Sequence, residues 1–300
     1  MKIFYTDHFE LPLPPGHRFP MDKYRRLRRR IVSEKRFRED VLMVPPAATD
    51  AELVRVHTPS YVESIVRGTL DRRAERRIGF PHSAKMVERS RRSTGATMAA
   101  ARAAVDGDRV SVNLAGGTHH AMRDAGEGYC VFNDAAVTLA TLIDEGAIGR
   151  GVVVDLDVHQ GNGTAETMAD RDDVFTFSMH GEKNFPLRKF PSDLDVDLPD
   201  GTADDRYLGV LDDQLAAVTA AGPFDLVIYL AGADPFVGDR LGRLALSKSG
   251  LARRDRRVLQ WAAGSGTPVA ITMAGGYAPD VDDIVDIHAA TVAAAAEFAR

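Results

Sequence analysis

Short apolar segments and longer amphipathic segments alternate along this chain of 300 residues. The apolar segments, such as the valines at 152–154, have the length and the β-branched character of strands that are buried on both faces. We predict strands over residues 2–5, 41–44, 109–114, 151–156, 174–178, 225–230 and 268–273. Helical periodicity predicts helices near residues 83–105, 134–145, 203–221, 248–263 and 280–298. The alternation predicts an α/β fold with a mostly parallel central sheet and helices on both faces.

The composition favours one domain over residues 1–300. Apolar residues make up 44% of the chain, enough for a sizeable core, and no linker, repeat or low-complexity tract divides it. The single cysteine, Cys130, the lack of a secretion signal and the lack of a long apolar stretch together predict a cytoplasmic protein that does not enter membranes. A net charge of −5 argues against a general attraction to nucleic acid. Nothing in the sequence indicates an oligomeric state.

One segment departs from this acidic balance. Residues 21–38 contain nine lysines and arginines, and Tyr24, Leu27 and Ile31 recur among them at helical spacing. The favoured interpretation is a solvated amphipathic helix with one buried apolar face. The alternative is a surface that binds an anion or a partner.

Small residues followed by polar groups come after five of the predicted strands. The carboxyl ends of parallel strands meet at one edge of a sheet, where ligands of such folds gather. The groups expected at this edge are the pair His119 and His120, the motif Asp155, Asp157 and His159, the run Ser178, Met179 and His180, then Asp234, and finally Tyr277.

The segment at residues 151–163, GVVVDLDVHQGNG, carries the densest chemistry. If the chain stays extended, Asp155, Asp157 and His159 point to the same side. Two buried carboxylates repel each other unless a cation holds both ionised. The motif alone is compatible with a turn, a solvated aspartate and a loop histidine, but its coincidence with the other strand ends favours a metal. Beyond the glycine turn, Thr164 is predicted to cap a helix over residues 165–169.

A mononuclear hydrolytic zinc site needs three protein ligands and open positions for water and substrate. We assign the ligands as Asp157, His159 and Asp234. Two carboxylates cancel the charge of the cation and make it a milder activator of water, so a separate base is needed. His119 and His120 are the candidates for that base.

The strings AGGTHHA, GYCVFND, DLDVHQGNGT, AGADPF with GDRLG, and AGGY resemble, in this order, the zinc-dependent histone deacetylase family, which has the arginase/deacetylase fold. The run Gln160, Gly161 and Asn162 in a compact chain resembles the class IV branch and its bacterial relatives. The resemblance extends from about His17 to the C-terminal helix. It implies a zinc-dependent deacetylase or deacylase acting on acylated lysine of a protein or peptide.

The resemblance also implies roles for individual residues. The three metal residues above fall on the family's zinc ligands, and His120 falls on its general base and acid, with His119 as electrostatic partner. Asp155 matches the carboxylate that orients His119, and Asn162 stands behind His120 where some branches have an aspartate.

The remaining implied roles concern substrate and a second ion. Tyr277 matches the tyrosine that polarises the acyl carbonyl. A tunnel for the lysine methylenes would have Tyr129 and Phe185 as its aromatic walls and Gly128 at its side. A potassium ion would bind Asp155, Asp157, the Ser178 hydroxyl and backbone oxygens near His159 and Met179.

The sequence leaves the substrate open. It could be an acetylpolyamine or another small acylated amine, and the acyl group could be longer than acetyl. The rim loops at residues 67–85 and 180–189 would decide this, and no counterpart is identified for the rim aspartate that clamps peptide backbone in some branches. Two further hypotheses fit the same residues. The protein could be a non-catalytic module that binds acyl-lysine, or a binuclear hydrolase like arginase.

Overall fold

The computed structural model describes residues 1–34, 37 and 41–299. Within these residues all strands belong to one eight-stranded sheet in which every neighbouring pair is parallel. The strands are β1 (Ile3–Phe4), β2 (Leu42–Met43), β3 (Val110–Asn113), β4 (Gly151–Asp155), β5 (Val174–Gly181), β6 (Leu194–Leu198), β7 (Leu226–Leu230) and β8 (Val269–Thr272), in the spatial order β2-β1-β3-β8-β7-β4-β5-β6. This confirms the α/β fold class.

Helices cover both faces of the sheet, as predicted. They are α1 (Asp22–Ser33), α2 (Asp50–Leu53), α3 (Pro59–Arg67), α4 (Arg72–Ile78), α5 (Ala84–Ala103), α6 (Asp134–Asp144), α7 (Asn162–Met168), α8 (Asp204–Ala221), α9 (Lys248–Ser265) and α10 (Val281–Phe298). A π-helical turn, Ala104–Asp108, follows α5.

Two hydrophobic cores lie on opposite faces of the sheet. Side chains alternate along a strand, so Val152 and Val154 belong to the core under α1, α8, α9 and α10, whereas Val153 belongs to the core under α3, α5 and α6. The valine run of β4 is buried on both faces because helices cover both of them. This two-sided burial fixes the central strands whose carboxyl ends carry the polar residues.

The edges of the sheet differ from the sequence prediction. The second predicted strand, residues 41–44, is only the two-residue β2, and the predicted strand at 174–178 runs on to Gly181. Strand β6 was not predicted, and it alternates half-buried apolar residues with exposed aspartates as an edge strand does. The short helices α2, α3 and α4 were not predicted either, because they have too few turns for a periodic signal.

Two local predictions after β4 were wrong. The strand ends at Asp155, so Asp157 and His159 lie in a loop rather than in an extended strand. The next helix begins at Asn162, and its N-cap residue Gly161 makes no side-chain cap. Thr164 lies inside this helix, where its Oγ1 accepts a hydrogen bond from Asn133 Nδ2 at 3.0 Å instead of capping.

The basic segment forms the amphipathic helix that was predicted, in its described part. Tyr24, Leu27 and Ile31 are buried on the inner face of α1, whereas arginines such as Arg29 lie on the outer side. Residues 35, 36 and 38 of the predicted segment lie outside the described residues. None of the described helices combines the length and apolar character needed to cross a membrane.

His57 joins the helical layer to the segment that follows His119 and His120. The ring is 1% exposed, its Nδ1 donates to the carbonyl of Met122 at 2.8 Å, and its Nε2 accepts the backbone N–H of Asn133 at 2.9 Å. Burial lowers the pKa of His57 to about 4, against 6.5 for a free ring. Protonation of Nε2 would remove the acceptor for Asn133, so this fold requires the neutral ring.

Because the fold requires a neutral His57 ring, we expect the free energy of unfolding to fall in acid. The folded-state pKa is below the unfolded value, so the stabilisation is complete above pH 6.5 and is lost as the pH falls toward 4. The shift corresponds to about 3 kcal/mol. Chemical denaturation of the metal-free protein should therefore show a larger loss of unfolding free energy between these pH values for the wild type than for His57→Gln. Equal losses in both proteins would contradict the prediction.

Candidate active site

The polar residues predicted at the strand ends do meet at one edge of the sheet. All strands are parallel, so the segments after β3, β4, β7 and β8 leave the sheet on the same side. They open onto a pocket of about 530 Å³. Its lining includes His119, His120, Asp157, His159 and Tyr277. The predicted run Ser178, Met179 and His180 does not join them, because it lies within β5, and it is Phe185 in the segment after this strand that lines the pocket.

Asp157, His159 and Asp234 form a compact group with the chemistry of a metal site. Each side chain offers one ligand atom, these atoms lie within 4.8 Å of one another, and all three residues are buried. Among the described residues, these three form the one cluster of acidic, histidine or cysteine side chains that could hold a metal ion. Two oxygens and one imidazole nitrogen match the donor preferences of Zn²⁺.

Backbone groups fix both carboxylates. The N–H of Val158 donates to Asp234 Oδ1 at 2.9 Å, and the N–H of Gly275 donates to Asp157 Oδ2 at 2.7 Å. A Cβ atom on Gly275 would overlap Asp234 Oδ2, so only glycine lets this turn approach so closely. The loops after β4, β7 and β8 therefore hold one another in place.

In the absence of a cation, the two buried carboxylates of this group need positive charge from another source. Burial and the charge of Asp157 raise the pKa of Asp234 to about 7. Burial alone would lower the pKa of His159, but its hydrogen bond to Asp157 and the charges of Asp157 and Asp234 raise it to about 10. Within the described part of the chain, Asp234 Oδ2 has no hydrogen-bond partner, although it lies 3.3 Å from His159 Nδ1. A proton on His159 thus supplies the positive charge that a metal ion would bring, and the residues present fit a divalent cation.

His119 is held beside a carboxylate. Its Nδ1 donates to Asp155 Oδ2 at 2.6 Å, and both side chains are almost completely buried. Burial opposes the charged ring, but the charges of Asp155 and Asp157 outweigh it and raise the pKa of His119 to about 9. This histidine is cationic at neutral pH in the metal-free protein.

His120 is held beside an amide. Its Nδ1 donates to Asn162 Oδ1 at 2.7 Å, which leaves Nε2 as the acceptor of a neutral ring. Burial and the charges of His119 and His159 lower the pKa of His120 well below its ordinary value. The neighbouring rings therefore differ in charge, although their centroids are only 4.1 Å apart.

Aromatic rings surround the approach to these groups. Gly128, Tyr129 and Phe185, the residues proposed above for a tunnel, all line the pocket. The Phe185 ring stands perpendicular to His120 at 4.9 Å, and a Cβ on Gly128 would approach His120 Cδ2 at 2.7 Å. Burial and the nearby charges of Asp234 and Asp157 raise the pKa of Tyr277 well above its ordinary value, so its phenol stays protonated and can donate.

The residues predicted to bind a potassium ion include neighbours in the sheet and in the sequence. Asp155 of β4 is paired with Ser178 of β5, and Met179 follows it in the same strand. The Ser178 hydroxyl lies 2.9 Å from His180 Nδ1, and His180 Nε2 lies 3.1 Å from Asp197 Oδ1. Because Nε2 donates to the carboxylate, Nδ1 accepts the serine proton, and the lone pairs of Ser178 stay available.

Two buried basic residues beneath the pocket were not predicted from the sequence. Lys23 Nζ lies 3.3 Å from the carbonyl of Ala274 and 3.4 Å from that of Gly276, next to Tyr277. Arg254 is fully buried and forms an ion pair with Asp255. Both belong to charged helix segments that look solvent-exposed in the sequence. The sequence indicates their burial only through their positions on the apolar face of each helix. Lys23 is next to Tyr24 in α1, and Arg254 is near Leu251 and Val258 in α9.

The comparison with protein families supplies the deciding observation, since the profile of the histone deacetylase domain matches residues 17–293. The chain belongs to the histone deacetylase family. This confirms the family resemblance of the sequence motifs, and the matched range includes every residue of the site described above.

Individual relatives agree with this membership. The chain is similar to an uncharacterized protein of Picosynechococcus sp., at 43% identity over 95% of both chains. It is also similar to histone deacetylase 2 of Arabidopsis thaliana, at 30% identity over 92% of this chain and 74% of that protein. The crystal structure of a histone deacetylase homologue from Aquifex aeolicus matches with a TM-score of 0.86 at 24% identity, covering 98% of this chain and 84% of the other. At that identity the structural likeness shows the arginase/deacetylase fold.

Proposed function

We propose that this chain is a zinc-dependent lysine deacylase that removes acetyl or longer acyl groups from the side-chain amine of lysine. The observation that carries the proposal is the meeting of two kinds of group in one pocket. A buried metal-ligand set, Asp157, His159 and Asp234, has two members that line the pocket. They share it with a neutral histidine, His120, whose free nitrogen can accept a proton. Family membership makes hydrolysis of an acyl-amine bond the reaction for this arrangement.

The ligand set would hold one Zn²⁺. When bound, this cation withdraws electrons from the acyl carbonyl and makes a nearby water molecule more acidic. One carboxylate would come from the loop after β4 and one from the loop after β7, and because Asp157 and His159 line the pocket, a substrate in the pocket could reach the cation. Its charge would also replace the proton that His159 holds in the metal-free protein.

His120 would remove the proton from the attacking water. Asn162 fixes the proton of the ring on Nδ1, so Nε2 is the basic atom. An amide at this position, unlike a carboxylate, adds no negative charge that would keep the ring protonated. As water adds to the carbonyl carbon and the C–N bond breaks, a histidine returns a proton to the departing amine, giving a carboxylic acid and a free amine.

Tyr277 would bind the acyl oxygen through its phenol O–H. Negative charge develops on that oxygen as water attacks, so the hydrogen bond strengthens in the transition state. Gly128, Tyr129 and Phe185 would enclose the lysine methylenes, which need an apolar channel without further donors or acceptors. A potassium ion at Asp155, Asp157, Ser178 and the carbonyls near His159 and Met179 would support the metal loop from behind.

The proposal is tested by metal content and by a substrate panel. We expect the protein loaded with Zn²⁺ and K⁺ to contain one zinc ion per chain by elemental analysis, and Asp234→Asn to lose it because one of two anionic ligands becomes neutral. Activity on an acetyl-lysine peptide, a long-chain acyl-lysine peptide and an acetylpolyamine should disappear with chelator and return with Zn²⁺. Turnover of the polyamine alone would make small-amine deacetylation the function. Two zinc ions per chain would favour a binuclear hydrolase, and tight peptide binding without turnover would favour a binding module.

Tyr277→Phe should impair turnover rather than binding. Loss of a donor that acts mainly in the transition state costs on the order of 3 kcal/mol, so kcat should fall about a hundredfold or more with little change in KM. Steady-state kinetics on an acetyl-lysine peptide measures both constants. Tyr5→Phe is the matched control, because this ring lies outside the pocket. An unchanged kcat for Tyr277→Phe would refute the assigned role.

A further inference from the structure

The pocket is lined by charged residues that the proposed reaction does not use. Apart from the metal group and the paired histidines, the charged side chains along its wall are Arg76, Arg77 and Glu127. Both arginines are exposed and lie in the last turn of α4. The mouth of the pocket therefore has an excess of positive charge in a chain whose net charge is −5.

The last turn of α4 is fastened to the wall of the tunnel. Arg77 Nε donates to the carbonyl of Gly126 at 3.4 Å, and the N–H of Gly128 donates to the carbonyl of Arg77 at 3.1 Å. The N–H of Tyr129 donates to the carbonyl of Ile78 at 2.7 Å. Among the described residues neither Arg76 nor Arg77 forms an ion pair, so their charges face solvent at the entrance.

A second rim segment adds further cations. Phe185 lines the pocket, and Lys183 and Arg188 on either side of it in sequence are exposed. Neither of these two side chains has an ion-pair partner within the described part of the chain. Glu182 precedes Lys183 in sequence and Glu127 lines the pocket, and these two carboxylates balance only part of the positive charge.

The positive charges at the rim distinguish the two substrate classes that the sequence leaves open, acylated polyamines and acylated peptides. An acylated polyamine carries protonated amines within one Debye length of the acyl group, and the rim arginines would repel them. A peptide with aspartate or glutamate next to the acylated lysine would be attracted to the same arginines.

We propose that Arg76 and Arg77 select substrates in which acidic residues flank the acylated lysine. This inference rests on the proposed deacylase function and names the substrate class of that site. Arginine binds carboxylates through two parallel hydrogen bonds, so a flanking carboxylate would also orient the peptide at the mouth.

The test compares three acetyl-lysine peptides of equal length that differ only in flanking residues, which are aspartate, glutamine or lysine. We expect kcat/KM to follow the order acidic, neutral, basic, with about fivefold for each charge contact made, mainly through KM. The preference should shrink in about 0.5 M NaCl, where charges are screened over a few ångströms. Arg76→Glu should abolish most of it, because the cations and carboxylates of the rim then balance, while Arg73→Ala should keep the wild-type order, because Arg73 is exposed on the same helix but does not line the pocket.

The outcomes separate this inference from the function on which it rests. Turnover of the neutral peptide without any acidic preference would overturn the inference and leave the deacylase function standing. No turnover of any peptide would overturn the function. Fluorescence anisotropy of the same peptides on the zinc-loaded protein then tests the charge selection by itself. A role of Arg76 in stabilising the helix end alone would change the melting temperature and leave the peptide order unaltered.

A different observation concerns the buried pair Arg254 and Asp255. Arg254 Nη1 donates to the carbonyl of Gly232 at 2.7 Å and to that of Leu156 at 3.2 Å. Leu156 directly precedes Asp157, and Gly232 lies two residues before Asp234. One guanidinium thus holds both loops that bring a carboxylate to the metal group.

Asp255 holds the guanidinium in turn. Its Oδ1 accepts from Arg254 Nε at 2.9 Å and from the Tyr229 hydroxyl at 2.6 Å. Its Oδ2 accepts from Thr291 Oγ1 at 2.6 Å. Tyr229 lies in β7 and Thr291 in α10, so two other elements fix the position of the Arg254–Asp255 pair of α9.

We infer that Arg254 is a positioning residue that sets the separation of the two carboxylate ligands. Removing the arginine alone would strand Asp255 as a buried charge and could unfold the protein. The double variant Arg254→Met/Asp255→Leu removes both charges together and avoids that problem. The matched control is Arg256→Met/Glu297→Gln, which removes an exposed ion pair between α9 and α10.

We expect the buried double variant to bind Zn²⁺ about tenfold or more weakly, as measured by competition with a chromophoric chelator, while it unfolds cooperatively. Its kcat should fall more than its KM rises, and Arg254→Lys should recover part of the affinity because the charge is kept. The control should bind Zn²⁺ like the wild type. Wild-type affinity in the buried double variant, or an equal loss in the control, would overturn the inference.

Discussion

The site depends on the burial of Asp157 and Asp234 next to each other. Two carboxylates in a region of low dielectric repel each other, and a folded chain keeps them there only if positive charge is supplied. In the metal-free protein His159 supplies it by keeping a proton, and a divalent cation can take over that task. The same requirement explains the backbone donors at Val158 and Gly275, which stabilise the ionised oxygens without adding a competing cation.

The parallel sheet makes this burial possible because it brings together segments that are far apart in sequence. Asp157 follows β4 and Asp234 follows β7, and these two strands are neighbours in the sheet. Hydrophobic cores on both faces fix the strands, so the loops at their carboxyl ends start from rigid positions. Beneath the loops, the Arg254 guanidinium replaces water as the donor to carbonyls that the sheet leaves unpaired. Hydrophobic packing thus determines the approach of the loops, and the buried ion pair refines it.

The sequence was sufficient for the fold class and for the candidate site because both depend on local signals. Valine runs predict central strands, and a polar residue directly after such a run must lie at the sheet edge. The residues that were not predicted have no such signal. Arg254 stands among five other charged residues in α9, and its burial depends on how that helix rotates against α10 and the sheet. Likewise β6 is a strand only because it pairs with β5.

The paired histidines show how one buried environment produces two different proton affinities. Both rings are deeply buried and adjacent in sequence, so burial lowers the pKa of each. The difference arises behind the rings, where Asp155 faces His119 and the uncharged Asn162 faces His120. The carboxylate keeps the first ring cationic, and that cation helps to keep the second ring neutral. A neutral ring that can act as a base and a cationic ring therefore lie side by side next to Asp157, His159 and Asp234. Hydrolysis needs both, because water must lose a proton while negative charge grows on the acyl oxygen.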